Sequence, residues 1–195
     1  GLKQLRLAES EKERFVTYYF NGLRESAFPG EDRVIIPSPN VPTYDLKPEM
    51  SAHEITDKFI QVVKSDSNYS FILINFANAD MVGHTGNIAP TIKAIEAVDE
   101  CVGKIANTTL AYNGTLLITA DHGNAEEMIN AQSGQIDTEH SNSPVPFITV
   151  SNNFLGNSQN LQSGILADIS PTILNLLKLP VPPDMTGRNL LESLR

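Results

Sequence analysis

Apolar positions along the chain fall into two kinds of run. Short continuous stretches rich in β-branched and aromatic residues alternate with longer ones in which apolar residues recur every three or four positions. The first kind predicts strands. Residues 14–20 form such a run and stop at Asn21-Gly22, a turn signal; Val34-Ile35-Ile36 is a second, closed by Pro37 and Pro39. Residues 69–76 predict the central strand, and 115–119 and 146–150 two more. The second kind predicts helices. Ser51 and Glu54 read as a capping box opening a helix with Ile55, Phe59 and Val62 on one face. Pro90 suits the first turn of another, whose Ile92, Ile95, Val98, Val102 and Ile105 make a core stripe. A third starts at Asp168, runs through Ile173, Leu174 and Leu177 and ends at Pro180, before a short tail of helical character at 188–195. Between them lie a Pro-rich loop at 37–48 and a polar, Asn-rich loop at 151–164.

Strands alternating with helices predict an α/β fold, a three-layer α/β/α sandwich with a mostly parallel sheet. A length of 195 residues fits one domain, and the chain shows no internal repeat. The net charge of −9 argues against nucleic acid or an acidic membrane as partner. A small anionic substrate remains compatible, because bound cations invert the local field. The single Cys101 excludes an intrachain disulfide, suits a reducing compartment and sits where packing explains it. No stretch approaches the roughly 20 apolar residues that span a bilayer, and the opening residues lack a secretory signal, so a cytoplasmic protein is expected. The chain starts without Met, which reads as processing or as a fragment.

Candidate chemistry gathers beyond the predicted strand ends, where ligands bind in parallel α/β sheets. Asp121-His122-Gly123-Asn124 directly follows the strand at 115–119. Asp80 and His84 follow the strand at 69–76 with an i, i+4 spacing that puts both on one face of a helical turn. Gly83 and Gly86 beside them would allow close approach to a ligand. His140 precedes Pro144-Val-Pro146. Carboxylate and imidazole together suit a divalent metal. Five such residues suggest two sites rather than one, since adjacent Asp121 and His122 could not easily join the others around a single ion. Paired ions are a recurring solution for phosphoryl transfer. Lys12, in a charged stretch, reads by itself as solvated, and His53 as a surface residue. There is no nucleotide-binding glycine motif, no Ser or Thr in a nucleophile setting and no arginine cluster.

The segments Gln4-Leu-Arg-Leu-Ala-Glu-Ser-Glu-Lys12, Ile36-Pro-Ser-Pro39, Thr43-Tyr-Asp-Leu-Lys-Pro-Glu-Met50, Asn75-Phe-Ala-Asn-Ala-Asp-Met-Val-Gly-His-Thr-Gly86 and Thr119-Ala-Asp-His-Gly-Asn-Ala-Glu-Glu-Met128 lead on to His140 with Pro144-Val-Pro146, Asp168-Ile-Ser-Pro-Thr-Ile-Leu174 and Met185-Thr-Gly-Arg188. Together they resemble the cofactor-independent phosphoglycerate mutases, within the alkaline phosphatase superfamily, over nearly the whole chain. The resemblance implies that Asp80, His84 and His140 bind one metal, typically Mn2+, and that Asp121 and His122 bind a second. It implies that Lys12 approaches the substrate phosphate or the nucleophile, and that no 2,3-bisphosphoglycerate is needed. The implied reaction moves a phosphoryl group between 3- and 2-phosphoglycerate, in glycolysis, through a phosphoserine.

The family's opening strand with its metal-binding Asp, its nucleophilic Ser and its inserted transferase domain have no counterpart in this sequence. Phe15 and Glu139 stand where relatives often carry other residues. Residues 1–195 are therefore expected to be the C-terminal portion of the phosphatase domain, alkaline-phosphatase-like but incomplete at its N-terminal side and inactive in isolation. The parent is expected to be monomeric; the open sheet of the fragment predicts marginal stability or self-association. The rival readings are another phosphatase, phosphodiesterase or phosphopentomutase of the superfamily, and a non-catalytic metal-binding module.

Overall fold

The computed structural model describes residues 1–65, 68–156 and 161–192. Its centre is β1 (Lys3–Glu9), which pairs in parallel with β2 (Glu31–Ile36) on one side and β3 (Tyr69–Ile74) on the other. β3 is thus not the central strand. β1 escapes a hydropathy reading because Arg6 and Glu9 are buried in it. Arg6 lies with its guanidinium carbon 4.5 Å from the centroid of the Phe20 ring and 5.4 Å from that of Phe71, so aromatic faces stand in for the water that a cation normally keeps. β4 (Thr115–Thr119) and β5 (Phe147–Ser151) form an antiparallel pair. Among the described residues β3 pairs only with β1 and β4 only with β5. Both sheets share one core all the same: Leu5 and Leu7 pack with Ile55, Phe59 and Ile105, and Leu116 of β4 joins them.

The run at 14–20 is not a strand but a π-helical turn over Phe15–Tyr19. Its aromatic residues meet at helical spacing, with the Phe15 and Tyr19 rings 5.4 Å apart and the Arg14 guanidinium 4.3 Å from the Tyr18 ring, contacts that an extended chain would separate. Between β2 and β3 run a short 3-10 turn at Tyr44–Leu46, within the Pro-rich loop, and α1 (Ala52–Lys64). Ser51 does not cap α1; its hydroxyl donates to the Pro37 carbonyl at 2.8 Å and ties the helix start to the end of β2.

After β3 come α2 (Asn78–Gly83) and the long α3 (Ile88–Ala111). α3 presents Thr91, Ala94, Cys101 and Ile105 inward, while Ile92 and Ile95 are exposed. The expected Ile/Val stripe holds in the C-terminal half, where Ile105 is buried and Val98 and Val102 are half-buried, whereas the first turns direct the small Thr91 and Ala94 inward instead of Ile92 and Ile95. His53 is half-buried, its Nδ1 3.6 Å from Cys101 Sγ. A second cluster of Met50, Ala77, Val82 and Ala94 packs α2 onto α3. The C-terminal region holds α4 (Ile169–Leu176). Asp168 anchors it by accepting from the Ile165 and Arg188 amides at 2.9 and 2.8 Å, which hold its carboxyl below the ordinary aspartate range. The tail is not helical up to Leu191; residues 193–195 lie outside the described residues, as do 157–160 of the Asn-rich loop.

Glu9 is fully buried, and neither of its carboxylate oxygens makes a hydrogen bond among the described residues. Burial, the largest influence, pushes its carboxyl above the ordinary glutamate range; the nearby Ser38 hydroxyl and Ser51 amide offset it only in part, and Glu11 and Glu54 act in the same direction as burial. The folded state then binds this proton more tightly than the unfolded state does. Stability falls as pH rises from the ordinary glutamate range through the raised one. Glu9→Gln is therefore expected to raise the melting temperature at pH 7.5, by about 2–4 °C for each kcal/mol relieved, and to raise it less at pH 4.5. An equal gain at both pH values would show that charge is not the cause.

Candidate metal centre

The candidate residues converge because several segments reach the same edge of the two sheets. Lys12 closes the 3-10 turn Ser10–Lys12 directly after β1, α2 follows β3, and Asp121-His122 follows β4. His140 arrives from the opposite direction. β5 runs antiparallel to β4, with Phe147 opposite Thr119, so the segment that enters β5 lies beside the segment that leaves β4. A backbone bridge between Gly123 and Ser141 locks the two together.

Asp80 is the hub. Its Oδ1 lies 3.1 Å from both His84 Nε2 and His140 Nε2, and 4.0 Å from His122 Nε2. Its Oδ2 accepts from Lys12 Nζ at 2.5 Å. Burial alone would raise the Asp80 carboxyl; the Lys12 hydrogen bond and charge, with His84 and His122 adding to them, outweigh burial and hold it below the ordinary aspartate range. Lys12 is itself buried, contrary to a solvated reading, and its Nζ lies 4.5 Å from the Phe15 ring centroid.

Imidazole roles follow from their partners. His84 Nδ1 lies 2.6 Å from the Thr138 carbonyl, which can only accept, so Nδ1 carries a proton and, in the neutral ring, Nε2 is the atom with a lone pair to offer. That lone pair faces His140 Nε2 at 3.1 Å. The ligand atoms of Asp80, His84 and His140 all lie within 4.8 Å of one another. One oxygen and two nitrogens converging at this spacing, with the backbone orienting one imidazole from behind, fit a divalent cation. The His122 ring stacks on that of His140 with centroids 3.7 Å apart, and His122 Nε2 is 3.6 Å from Asp121 Oδ2. Asp121 stands apart from the cluster, its side chain 67% exposed. The structure thus gathers Lys12, Asp80, His84, His122 and His140, and leaves Asp121 at the rim.

Three polar side chains escaped the sequence reading. Asn124 donates to Asp80 Oδ1, Glu126 accepts from the Asn124 amide, and Ser141 donates to Glu126. The glycines held a clue to them. Gly83 leaves room not for a ligand but for the Asn124 side chain, and Gly86 for Ile136; a Cβ at Gly83 would lie 2.2 Å from Asn124 Oδ1.

The chain has relatives among known proteins. Over 193 residues the chain is 50% identical to the 2,3-bisphosphoglycerate-independent phosphoglycerate mutase of Acinetobacter baylyi and 56% identical to that of Clostridium beijerinckii, covering 98% and 99% of this chain. It spans only 36% and 37% of those proteins' length. The crystal structure of Leishmania mexicana phosphoglycerate mutase at low cobalt concentration superposes with a TM-score of 0.87 at 32% identity, over 97% of this chain and 37% of that one. The profile of the Metalloenzyme superfamily matches residues 1–181, and the chain belongs to that superfamily.

Proposed function

We propose that this chain is the C-terminal portion of the phosphatase domain of a cofactor-independent phosphoglycerate mutase, and that it holds the larger share of a two-metal centre. The observation that carries this reading is the cluster of Asp80, His84 and His140 with Lys12 on the outer oxygen of Asp80. Similarity to the mutases along almost the full chain supports it. In this reading Asp80 Oδ1, His84 Nε2 and His140 Nε2 hold one ion, Mn2+ by preference, while Asp121 and His122 hold part of a second site completed by residues outside this chain. Divalent ions bound there would favour ionisation of a nucleophilic hydroxyl and neutralise charge on phosphoryl oxygens. Lys12 keeps Asp80 ionised and oriented and directs its remaining protons at the substrate phosphate. The rest of the parent would pair with the open edges of β3 and β4 and supply the serine that carries the phosphoryl group between the 3- and 2-hydroxyls. The parent would be a monomeric cytoplasmic enzyme of glycolysis that needs no 2,3-bisphosphoglycerate.

The test is a 3-phosphoglycerate to 2-phosphoglycerate assay on the complete protein that carries this chain. Activity is expected to vanish on chelation and to return with Mn2+. Lys12→Met is expected to lower kcat/KM by about 10²–10³-fold, the scale of losing one preorganised electrostatic group. Full activity in chelator-stripped protein, or phosphate release without isomerisation, would defeat the reading.

A further inference from the structure

We infer that Asn124 is a positioning residue for the Asp80 carboxylate, and that Gly83 is present to admit it; this rests on the metal-site reading above. Lys12 occupies Oδ2 of Asp80 and leaves Oδ1 directed at the two imidazoles. A carboxylate held by one hydrogen bond can still turn about its Cβ–Cγ bond. Asn124 Nδ2, donating to Oδ1 at 3.2 Å, removes that freedom. Asn124 is itself held. It is only 6% exposed, its backbone N–H donates to Glu126 Oε2 at 2.8 Å, and its carboxamide oxygen lies where a Cβ at position 83 would stand.

The same brace continues to the His140 segment. Glu126 Oε1 accepts from the Ser141 hydroxyl, and the Ser141 amide donates to the Gly123 carbonyl at 2.9 Å. A Cβ on Gly123 would fall 2.2 Å from both Glu126 Oε1 and Ser141 Oγ, so the brace closes only around a glycine there. Asn124 therefore joins α2 and the residue that caps it, which carry Asp80 and His84, to the turn that carries His122 and, through Glu126, to His140. Outer-shell partners of this kind are worth about 10–100-fold in metal affinity.

The test uses the complete protein, stripped of metal and titrated calorimetrically with Mn2+ alone, with the thermal melt of each metal-free variant alongside. Asn124→Ala is expected to weaken binding at the Asp80 site by about 10-fold or more while leaving the metal-free melt in place. Gly83→Ala should reproduce the Asn124→Ala loss by pushing the carboxamide aside. The double variant Gly83→Ala/Asn124→Ala should bind no more weakly than either single one, because the new methyl then has room. Binding by Asn124→Ala within twofold of wild type overturns the inference, as do additive losses in the double variant. A wild-type protein that binds no Mn2+ instead defeats the metal-site reading, so the two failures are distinct.

Discussion

Replacing His84 by alanine is expected to abolish Mn2+ binding at the cluster. His84 contributes one of three converging ligand atoms, and its ring is the one whose orientation the backbone sets through Thr138. Without it, only Asp80 Oδ1 and His140 Nε2, 3.1 Å apart, remain of the three ligand atoms that lie within 4.8 Å of one another. The loss should exceed the roughly 10–100-fold that attends removal of an outer-shell partner. The imidazole lies at the surface, its side chain 38% exposed, so the fold should survive the change and the metal-free melt should hardly move. Titration calorimetry on the wild type and His84→Ala, each after chelation, reads the difference. Wild-type affinity in the variant would remove His84 from the ligand set.

The second expectation is that these 195 residues alone turn over no phosphoglycerate. The hydroxyl of Ser141, the residue after His140, is committed as a donor to Glu126, and Asp121 stands two-thirds exposed beside His122. In the reading proposed above the phosphoryl-carrying serine belongs to the rest of the parent, so a transferring phosphoryl group would meet an ion site without its nucleophile. Phosphate chemistry without a positioned nucleophile forfeits most of the enzymatic acceleration, which in total is typically about 10⁶-fold or more. A ³¹P NMR time course with 3-phosphoglycerate and Mn2+ should show no 2-phosphoglycerate. Sedimentation of the same sample should show self-association, since β3 and β4 each present an unpaired edge among the described residues. Metal-dependent conversion by a homogeneous monomer would overturn both expectations.

Much of this was legible from residue order. The segments ending at Asp80–His84 and beginning at Asp121 follow apolar strands, and a strand running the same way as its neighbour delivers its C-terminal loop to the same edge, as β3 does beside β1. The parallel α/β class followed from the same alternation. β1 did not read as a strand because Arg6 and Glu9 lie inside it, one shielded by aromatic rings and one by burial without a partner. Hydropathy cannot anticipate a charged residue whose solvation comes from elsewhere in the fold. The aromatic run at Phe15–Tyr19 misled in the opposite sense, since composition alone does not say whether rings stack along a strand or around a helical turn.

Sequence by itself determined the donor types and their local pairing: an Asp in α2 and a His one helical turn on, at its C-cap, and an adjacent Asp and His just after β4. These depend on short-range geometry, which a few consecutive residues specify. Tertiary structure alone decided which donors meet. His140 reaches Asp80 because β5 runs antiparallel to β4. Lys12 is buried against Asp80 because β1 lies beside β3. Asn124 fills the space that Gly83 leaves. Each of these contacts joins residues more than 40 positions apart, and the strand pairing and close packing that bring them together are properties of the whole core rather than of any segment.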